Sequence, residues 1–300
     1  MKAMALHQHG GPEVLQLVDL PVPAPAKGEV LIRVAAIGAN PADWKWRQGM
    51  FAAMLPISFP YVPGYDVAGV VERGDKLAPG TRVMAMLDNL KAGAYAEFVT
   101  VAADVVAVIP EGLDFTSAAA LPCPALTGVQ VIDEDIQPAK GETVVITGAT
   151  GSVGRFALLA AKRRGATVVA AVREGHRQTA LELGADQALA LDQAGSAVEC
   201  DHLIDTVGGA LVVPWARKVR TGGKIRTVAT DPIPADNLPS TPEFSRVHPD
   251  SAQLAQIAQD VAAGHIITPP IQTMPLADAA HAHDIMQNGP GGGKIVLIVD

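Results

Sequence analysis

A glycine turn between two apolar segments constrains this chain more than any other feature. Residues 143–147 form an apolar run rich in β-branched side chains, and an Ala/Leu-rich segment begins after Gly154. The run predicts a strand buried on both faces, and the segment that follows predicts a helix. The turn at 148–154 therefore presents free backbone N–H groups and the positive end of a helix dipole, an environment that suits a pyrophosphate.

The glycine spacing alone is only moderately specific, because Ala149 occupies the first position of G-x-G-x-x-G and Gly148 lies one residue earlier. Gly151 is expected to let the backbone approach the phosphates, and Gly154 to let helix and strand pack closely. A second apolar run at 166–172 completes a βαβ unit of about thirty residues, which strengthens the prediction of nucleotide binding. The expected cofactor contacts in the turn are Ala149, Thr150, Gly151, Ser152 and Val153.

Composition argues against several classes of protein. The chain has 300 residues, of which 49% are hydrophobic and 18% charged, as expected for two packed domains rather than a disordered chain. A net charge of −8 without a basic cluster argues against a nucleic-acid or anionic-membrane surface. No apolar stretch reaches the roughly 18 residues of a membrane span, and the N-terminus shows no signal-peptide pattern. The two cysteines, Cys123 and Cys200, favour a reducing cytoplasmic compartment without a disulfide framework.

The N-terminal part of the chain has a β pattern. Its apolar runs are short, rich in strand-forming residues and separated by Pro/Gly turns, a spacing that predicts a compact, barrel-like β domain. These runs are 30–36, 67–72, 82–86 and 94–101. The Pro-rich segment 21–25 lacks ladder donors and is expected to be an extended surface connection.

The rest of the chain changes pattern twice. From about residue 122 strands alternate with helices, and this alternation predicts a doubly wound parallel sheet. The later strands of that sheet are expected at 188–191, 202–206 and 224–228. After about residue 266 we expect β structure again, a helix near 276–287 and a last strand at 293–299. This strand either extends the nucleotide sheet or returns to the first domain, and we favour the return.

This organisation, with a nucleotide domain between two parts of a β domain, resembles the medium-chain dehydrogenase/reductase superfamily. Short stretches that are collinear along nearly the whole chain are similar to its zinc-independent, quinone oxidoreductase-like branch. They lie at 10–15, 38–43, 63–71, 93–97, 121–127, the glycine turn and 293–297. The resemblance implies an α/β fold with a GroES-like β-rich catalytic domain, residues 1–121 and 265–300, and a Rossmann NADP-binding domain, residues 122–264.

The sequence differs from the superfamily's zinc alcohol dehydrogenases at the positions of their metal ligands. The resemblance places Asn40 and Tyr65 where that branch has a cysteine and a histidine ligand, and Ala42 where it has the proton-relay hydroxyl. Only Cys123 falls on a ligand position, and one soft ligand cannot hold a catalytic zinc, which needs three protein ligands. We therefore expect no metal, and hydride transfer to an electron-poor acceptor such as a quinone or enone rather than alcohol oxidation.

The glycine turn also resembles that of short-chain dehydrogenases, which need a Tyr-x-x-x-Lys pair. The residues four positions after Tyr61, Tyr65 and Tyr95 are Tyr65, Gly69 and Val99. No tyrosine of the sequence is therefore followed by a lysine at that spacing. This argues against the second family.

The residues after the second strand of the βαβ unit indicate which nicotinamide is used. Arg173 lies at the expected strand end and Arg177 one helical turn further, with His176 before it, so two guanidinium groups could contact one 2′-phosphate. This pattern favours NADPH, with these three residues as contacts. Glu174 would favour NADH instead if it points inward, and both arginines could simply be solvated at a helix start.

Three residues are candidates for positions around the reacting atoms. Asn40 is expected to donate a hydrogen bond to the acceptor's carbonyl group, or alternatively to cap a helix. Tyr65 could orient the acceptor or supply a proton, with core packing as the alternative. The resemblance implies that Thr127 contacts the nicotinamide, with helix N-capping as the alternative. Asp43 and Asp66 are expected to tie loops together rather than to react.

The carboxyl ends of the later strands supply the remaining expected cofactor contacts, since ligands bind at that edge of open sheets. These contacts are Thr206, Val207, Gly208, Val228 and Ala229. Lys294 is expected to reach the cofactor from the C-terminal segment, with a surface position as the alternative. The i, i+2 histidine pairs, His7 with His9 and His281 with His283, make poor chelates and are not expected to bind a metal.

The sequence therefore predicts a cytoplasmic, zinc-independent oxidoreductase that passes hydride from NADPH to a quinone or similar electron-poor carbonyl. The alternatives are a 2-alkenal/enone reductase on the same scaffold and a non-catalytic NADPH-binding protein. The loops 47–59 and 232–247 are expected to shape the acceptor pocket. The resemblance alone implies a homodimer.

Overall fold

The computed structural model describes residues 1–53, 56–88, 93–193, 195, 197–288 and 293–299 of the chain. The chain divides into two compact units: a first unit, Met1–Cys123 with Pro249–Asp300, and a second unit, Pro124–His248. The expected division had placed 249–264 in the nucleotide domain, whereas the structure groups this segment with the first unit. Within that unit the Ser251 hydroxyl at the start of α7 donates to the Asp104 carbonyl at 2.7 Å.

The elements are numbered in chain order. The strands are β1 (Lys2–Leu6), β2 (Leu15–Asp19), β3 (Glu29–Gly38), β4 (Asp66–Gly74), β5 (Arg82–Met86), β6 (Phe98–Ala102), β7 (Val106–Val108), β8 (Thr143–Thr147), β9 (Thr167–Val172), β10 (Gln187–Ala190), β11 (His202–Asp205), β12 (Ile225–Thr227), β13 (Pro242–Phe244), β14 (Ile271–Pro275) and β15 (Lys294–Ile298). The helices are α1 (Pro41–Arg47), α2 (Phe115–Ala119), α3 (Pro122–Gln130), α4 (Gly154–Arg163), α5 (Arg177–Glu182), α6 (Val213–Ala216), α7 (Ser251–Ala262) and α8 (Ala279–Asn288).

The first unit is built on a mostly antiparallel sheet in the order β14-β15-β3-β4-β5-β7, with β6 also paired to β3. Strand β15 pairs antiparallel with β3, Val296 lying opposite Gly38, which confirms the prediction that the last strand returns to the first domain. The run expected at 94–101 is shorter than predicted. Strand β6 begins at Phe98, and Ala96 forms only an isolated bridge with Ala3.

The second unit is a parallel sheet in the order β10-β9-β8-β11-β12-β13. Four of the five residues of β8 and all of β11 are buried, as the predicted two-sided burial requires. The strand order reverses beside β8, so the crevice at the carboxyl ends of β8 and β11 is the point where doubly wound sheets bind ligands. The segment 232–247, expected to be a loop, contains β13 at the sheet edge.

The glycine turn connects β8 to α4 as predicted. Gly148 has φ +65°, a left-handed conformation that favours glycine. A Cβ on Gly154, the first residue of α4, would lie 2.3 Å from the Gly148 carbonyl oxygen. Only glycine therefore permits the helix to start this close to the strand end.

Candidate functional site

The carboxyl edge of the second unit brings together several residues that the sequence singled out. A Cβ on Gly148 would lie 2.5 Å from the Thr206 hydroxyl oxygen, so the glycine turn packs directly on the loop after β11. A Cβ on Gly128 of α3 would lie 2.5 Å from the Val153 carbonyl, so α3 packs on the other side of the turn. Thr127 lies in the interior of this helix and is buried, so helix N-capping is not its role.

The turn itself fits the phosphates of a dinucleotide. Gly151 is exposed and carries no side chain, and a Cβ there would meet only the Gly148 carbonyl, at 3.1 Å. Thr150 and Ser152 beside it are half-buried, and Ala149 is buried beneath them. The arrangement leaves backbone rather than side chains at the helix start, which is what close approach of an anion requires.

Arg155 belongs to this turn, although its position gave no signal in the sequence. Its side chain is 6% exposed, and its guanidinium donates to the carbonyl oxygens of Thr150 at 2.7 Å and Gly151 at 3.4 Å. Burial lowers the pKa of Arg155 to about 10. The guanidinium thus braces the turn from its inner side and adds positive charge near the helix start.

The residues expected to bind a 2′-phosphate differ in their exposure and in their contacts within the protein. Arg173 follows β9 and is exposed, and His176 is exposed beside it. The Arg177 guanidinium donates to the Glu174 carboxylate at 2.9 Å and to the Ala188 carbonyl at 2.8 Å. Glu174 therefore points to Arg177, so one of the two guanidinium groups expected at the 2′-phosphate is ion-paired within the protein.

The first unit contains a buried cluster of Asn40, Asp66 and Lys294. The Asn40 amide donates to the Gly38 carbonyl at 3.1 Å and to Asp66 at 2.9 Å, and its oxygen accepts from the Lys294 ammonium at 2.6 Å. Lys294 also lies 3.2 Å from Asp66, and the other Asp66 oxygen accepts from the Cys123 backbone at 2.7 Å. Asp66 ties three segments together, as expected.

This cluster corrects two expectations. Lys294 is 3% exposed, so it is not a surface residue, and its ammonium contacts Asn40 and Asp66 within the first unit. Asn40 has the extended backbone of an N-cap, φ −125° and ψ 151°, and forms a capping box with Asp43, whose carboxylate accepts the Asn40 backbone N–H at 2.8 Å. Because both amide hydrogens of Asn40 are donated within the protein, it has none left for a substrate carbonyl in this arrangement.

A second buried chain of polar groups runs from Asn40 to His283. Asp43 accepts on one oxygen from the Asn40 backbone at 2.8 Å and from the Tyr95 hydroxyl at 3.0 Å, and Tyr95 also contacts His283 at 3.1 Å. Burial, and to a lesser extent the nearby Asp66 charge, raises the pKa of Asp43 to about 7. Burial and the Arg47 charge lower the pKa of His283 to about 3. The Asp43 carboxyl therefore has a pKa close to pH 7, and the His283 imidazole is uncharged at that pH.

His283 was missed because its i, i+2 partner suggested only a chelate. His281 is exposed and His283 is buried, so the pair indeed does not converge on one point. The signal that could have found it is its place on the apolar face of α8, four residues after Ala279 and next to Ala282, which are also buried.

Tyr65 is 2% exposed, and its hydroxyl has no partner with good hydrogen-bond geometry among the described residues, although the Trp46 indole lies close enough to lower its pKa slightly. The Tyr61 hydroxyl is also buried and has no hydrogen-bond partner among the described residues. Burial raises the pKa of both groups above the ordinary value, and the charge of Asp43 raises it further. Both hydroxyls therefore keep their protons and can donate hydrogen bonds, and both lie close enough to Asp43 for its charge to affect their pKa.

The donor atoms at the family's metal positions do not fit a catalytic zinc. Asn40 is committed to Asp66 and Lys294, and Tyr65 holds its proton, which leaves Cys123 as the single soft donor. Among the described residues there is no group of three or more His, Cys, Asp or Glu side chains that could hold a metal ion. Three such ligands are the minimum of a catalytic zinc site.

A cavity of about 360 Å³ lies in the first unit, within the size range of small-molecule sites. Its walls include Ile57, Ser58, Pro60, Tyr61 and Val62. It therefore falls on the second half of the loop 47–59 that was expected to shape the acceptor pocket; residues 54 and 55 of that loop lie outside the described residues.

Two protein families match the chain. The alcohol dehydrogenase GroES-like domain matches residues 26–111, and the zinc-binding dehydrogenase family matches residues 183–297. The quinone oxidoreductase of Mus musculus is 30% identical over 328 aligned positions, covering 100% of this chain and 98% of that protein. The chloroplast envelope quinone oxidoreductase homolog of Arabidopsis thaliana is 34% identical over 199 residues, which cover 63% of this chain and 60% of that protein.

Solved structures share the whole fold. The quinone oxidoreductase from Coxiella burnetii is 28% identical with a TM-score of 0.89, covering 100% of this chain and 99% of that one. A structure described as an NAD-dependent alcohol dehydrogenase is also 28% identical, with a TM-score of 0.88 and full coverage of both chains. The GroES-like β unit and the Rossmann-type sheet predicted from the sequence are thus confirmed.

The fold and the carboxyl-edge site define an oxidoreductase that uses a nicotinamide cofactor and acts on a small molecule. The chain belongs to the quinone oxidoreductase-like branch of the medium-chain dehydrogenase/reductase superfamily. None of the helices in the described part of the chain combines the length and the apolar character needed to cross a bilayer.

Proposed function

We propose that this protein is an NADPH-dependent, metal-independent reductase that delivers hydride to a quinone. The observation that carries the proposal is the glycine turn at the switch point of the parallel sheet, where Gly148 and Gly154 bring helix and strand together and Gly151 leaves the backbone exposed. The likeness to quinone oxidoreductases along the whole chain supports the acceptor class.

The second unit would hold the cofactor along its carboxyl edge. The backbone of the turn faces the pyrophosphate, and Arg173, with His176 and Arg177, faces the 2′-phosphate of NADPH. The other proposed contacts are Thr127, Thr206, Val207, Gly208, Val228 and Ala229. When bound, the reduced nicotinamide supplies the hydride.

The first unit would hold the acceptor. We propose that the neutral Tyr65 hydroxyl donates a hydrogen bond to the acceptor's oxygen, because it is a buried donor without a partner of good geometry among the described residues. Asn40 then acts as a positioning residue, since it orients Asp66 and Lys294. The cavity beside Tyr61 is large enough for a small quinone ring.

A coupled binding and turnover experiment tests the proposal. Binding of NADPH and of NADH is measured by the fluorescence of the reduced nicotinamide, and its oxidation is then followed with a series of quinones and a series of enones. We expect tighter binding of NADPH and turnover with quinones. Turnover with enones alone would support a 2-alkenal/enone reductase, binding without turnover would support a non-catalytic NADPH-binding protein, and binding of neither nucleotide would refute the proposal.

We also propose that the protein is a cytoplasmic homodimer. Strand β13 lies at the edge of the parallel sheet, and an edge strand presents unpaired backbone groups to a second copy, which supports an interface at that edge. Light scattering on the purified chain gives the molar mass directly, and a monomer at all concentrations would contradict this part of the proposal.

A further inference from the structure

We infer that Asp205 is the positioning residue that holds the cofactor-facing loops of the second unit in place. It ends β11 at the switch point and is 0% exposed. One oxygen accepts from the Thr147 hydroxyl at 2.7 Å, from the Val207 backbone at 2.9 Å and from the Gly208 backbone at 3.0 Å. The other accepts from the Thr227 hydroxyl at 2.7 Å and from Gly208 at 3.1 Å.

The two threonines extend this hold to neighbouring strands. Thr147 ends β8 and Thr227 ends β12, so one carboxylate joins the carboxyl ends of three adjacent parallel strands. A hydroxyl has a single hydrogen, and each threonine gives it to Asp205. Each hydroxyl oxygen then accepts a backbone N–H of the following loop, from Thr206 at 3.1 Å and from Ala229 at 3.0 Å.

The network ends at the glycine turn. The Thr206 hydroxyl donates to the Thr147 carbonyl at 2.8 Å, and Gly148 lies against Thr206 with no room for a side chain. The conformation of the turn, of the loop 206–208 and of residue 229 is therefore coupled to one carboxylate. All of these segments are proposed cofactor contacts, so the inference rests on the proposed function; Asp205 acts through the Val207 and Gly208 backbones that it holds.

A carboxylate suits this place because every group around it donates. An amide at the same position would direct an NH₂ group at donors on one side, either at Gly208 and Thr227 or at Thr147 and Val207. Asp205→Asn keeps the shape of the side chain but leaves buried donors without an acceptor, and the loops must shift to satisfy them.

The chain offers a matched control on the same strand. Asp201 immediately precedes β11, at the amino ends of the parallel strands. Its carboxylate accepts from the Thr143 backbone at 2.6 Å and pairs with Arg220 at 2.9 Å. Asp201→Asn therefore removes a carboxylate that also ties strands together, but at the edge away from the proposed cofactor site.

The experiment compares the two variants with the unaltered chain by NADPH affinity, the KM for NADPH against kcat with a quinone, thermal stability and amide hydrogen exchange. Asp205→Asn should weaken NADPH binding about tenfold or more, raise the KM for NADPH more than it lowers kcat, and speed exchange at 206–208 and 229. Asp201→Asn should lower the Tm while leaving NADPH affinity unchanged.

The inference would be overturned if Asp205→Asn bound NADPH as tightly as the unaltered chain. It would also be overturned if Asp201→Asn lost as much NADPH affinity as Asp205→Asn. If Asp205→Asn does not fold, Thr227→Val and Thr227→Ser replace it: valine should reproduce the loss and serine, which keeps the hydroxyl, should restore affinity. If the unaltered chain binds no reduced nicotinamide, the proposed function fails; the exchange measurement still decides the role of Asp205, because it needs no cofactor.

Discussion

Among the described residues, the two units differ in how many buried side-chain polar atoms lack a hydrogen-bond partner. Asp205 in the second unit and Asp43 in the first are both completely buried, but Asp205 accepts donors on both oxygens, whereas Asp43 accepts on one oxygen only. Among the described residues, the buried side-chain polar atoms without a hydrogen-bond partner lie in the first unit with the exception of Ser245. A buried polar group without a hydrogen-bond partner destabilises the folded state, so native proteins have few such groups outside functional sites.

The difference indicates two ways of building a site. The second unit is preorganised: its backbone turns are held by satisfied hydrogen bonds, and a ligand meets groups that need not move. The first unit keeps neutral donors and an acid near its titration point, groups that can respond when an acceptor brings an oxygen atom into reach. The experiments below test this contrast, beginning with the largest expected effect.

Filling the backbone cradle should have the largest effect. Gly151→Val places a side chain where the phosphates are proposed to lie, while the free protein needs only a small adjustment at the Gly148 carbonyl. We expect NADPH affinity to fall by about 100-fold or more, because the loss includes several charge-assisted contacts. The affinity is measured by fluorescence titration. Gly195→Val is the control, since a Cβ there meets nothing within 4 Å; weakened binding in the control would contradict the assignment of the turn.

Removing the Tyr65 hydroxyl should lower turnover without lowering the stability of the fold. Tyr65→Phe should lower kcat with a quinone about tenfold, the loss of one hydrogen bond to the developing oxyanion, and leave NADPH affinity unchanged. The Tm should stay constant or rise, because the hydroxyl has no partner of good geometry among the described residues. Tyr61→Phe is the comparison: it removes the other buried tyrosine hydroxyl without a partner among the described residues, on a residue that lines the cavity but is not the proposed donor. An equal loss of kcat in both variants would show that Tyr65 has no distinct role.

The ion pair beside the proposed 2′-phosphate site should set coenzyme preference. Glu174→Gln removes the carboxylate that engages Arg177, so the ratio of NADPH to NADH affinity should rise by about three- to fivefold, as expected for an exposed pair. Titration with both nucleotides measures the ratio. Glu182→Gln, at the end of α5, makes the same charge change at a carboxylate that accepts from Gln178 instead of Arg177. A rise of equal size in Glu182→Gln would mean that net charge alone is responsible.

The buried acid and the buried imidazole of the first unit should make opposite contributions to stability against pH. Folded Asp43 keeps its proton up to about pH 7, but the unfolded group loses it near 3.8, so stability falls as pH rises between these values. Folded His283 stays neutral down to about pH 3, and the unfolded group gains a proton below 6.5, so stability rises with pH over that window. The two effects largely cancel in the unaltered chain.

Single substitutions should remove the cancellation. From pH 5 to pH 8 the Tm of Asp43→Asn should rise by several degrees relative to the unaltered chain, and that of His283→Gln should fall by several degrees. Scanning calorimetry over this range measures both. Parallel curves for all three proteins would show that neither group titrates as its burial implies.

The sequence by itself determined the parts that depend on local pattern. The strand at 143–147, the glycine turn, the helix after it and the alternation that follows were predictable, because periodicity and the steric demands of glycine act over a few residues. The doubly wound sheet was predicted in the same way and is present, whereas local pattern left two places for the last strand, and the favoured return to the β unit is confirmed.

Tertiary structure alone decided which polar side chains share a partner. Lys294 and Asn40 are 254 positions apart in the chain, and no local pattern shows that one ammonium lies against one amide oxygen. For the same reason Asp205 looked like an ordinary strand end, and Glu174 could not be placed against Arg177. Hydrogen bonds depend on positions set to a fraction of an ångström by the packing of distant segments, so their pairing is a property of the folded chain.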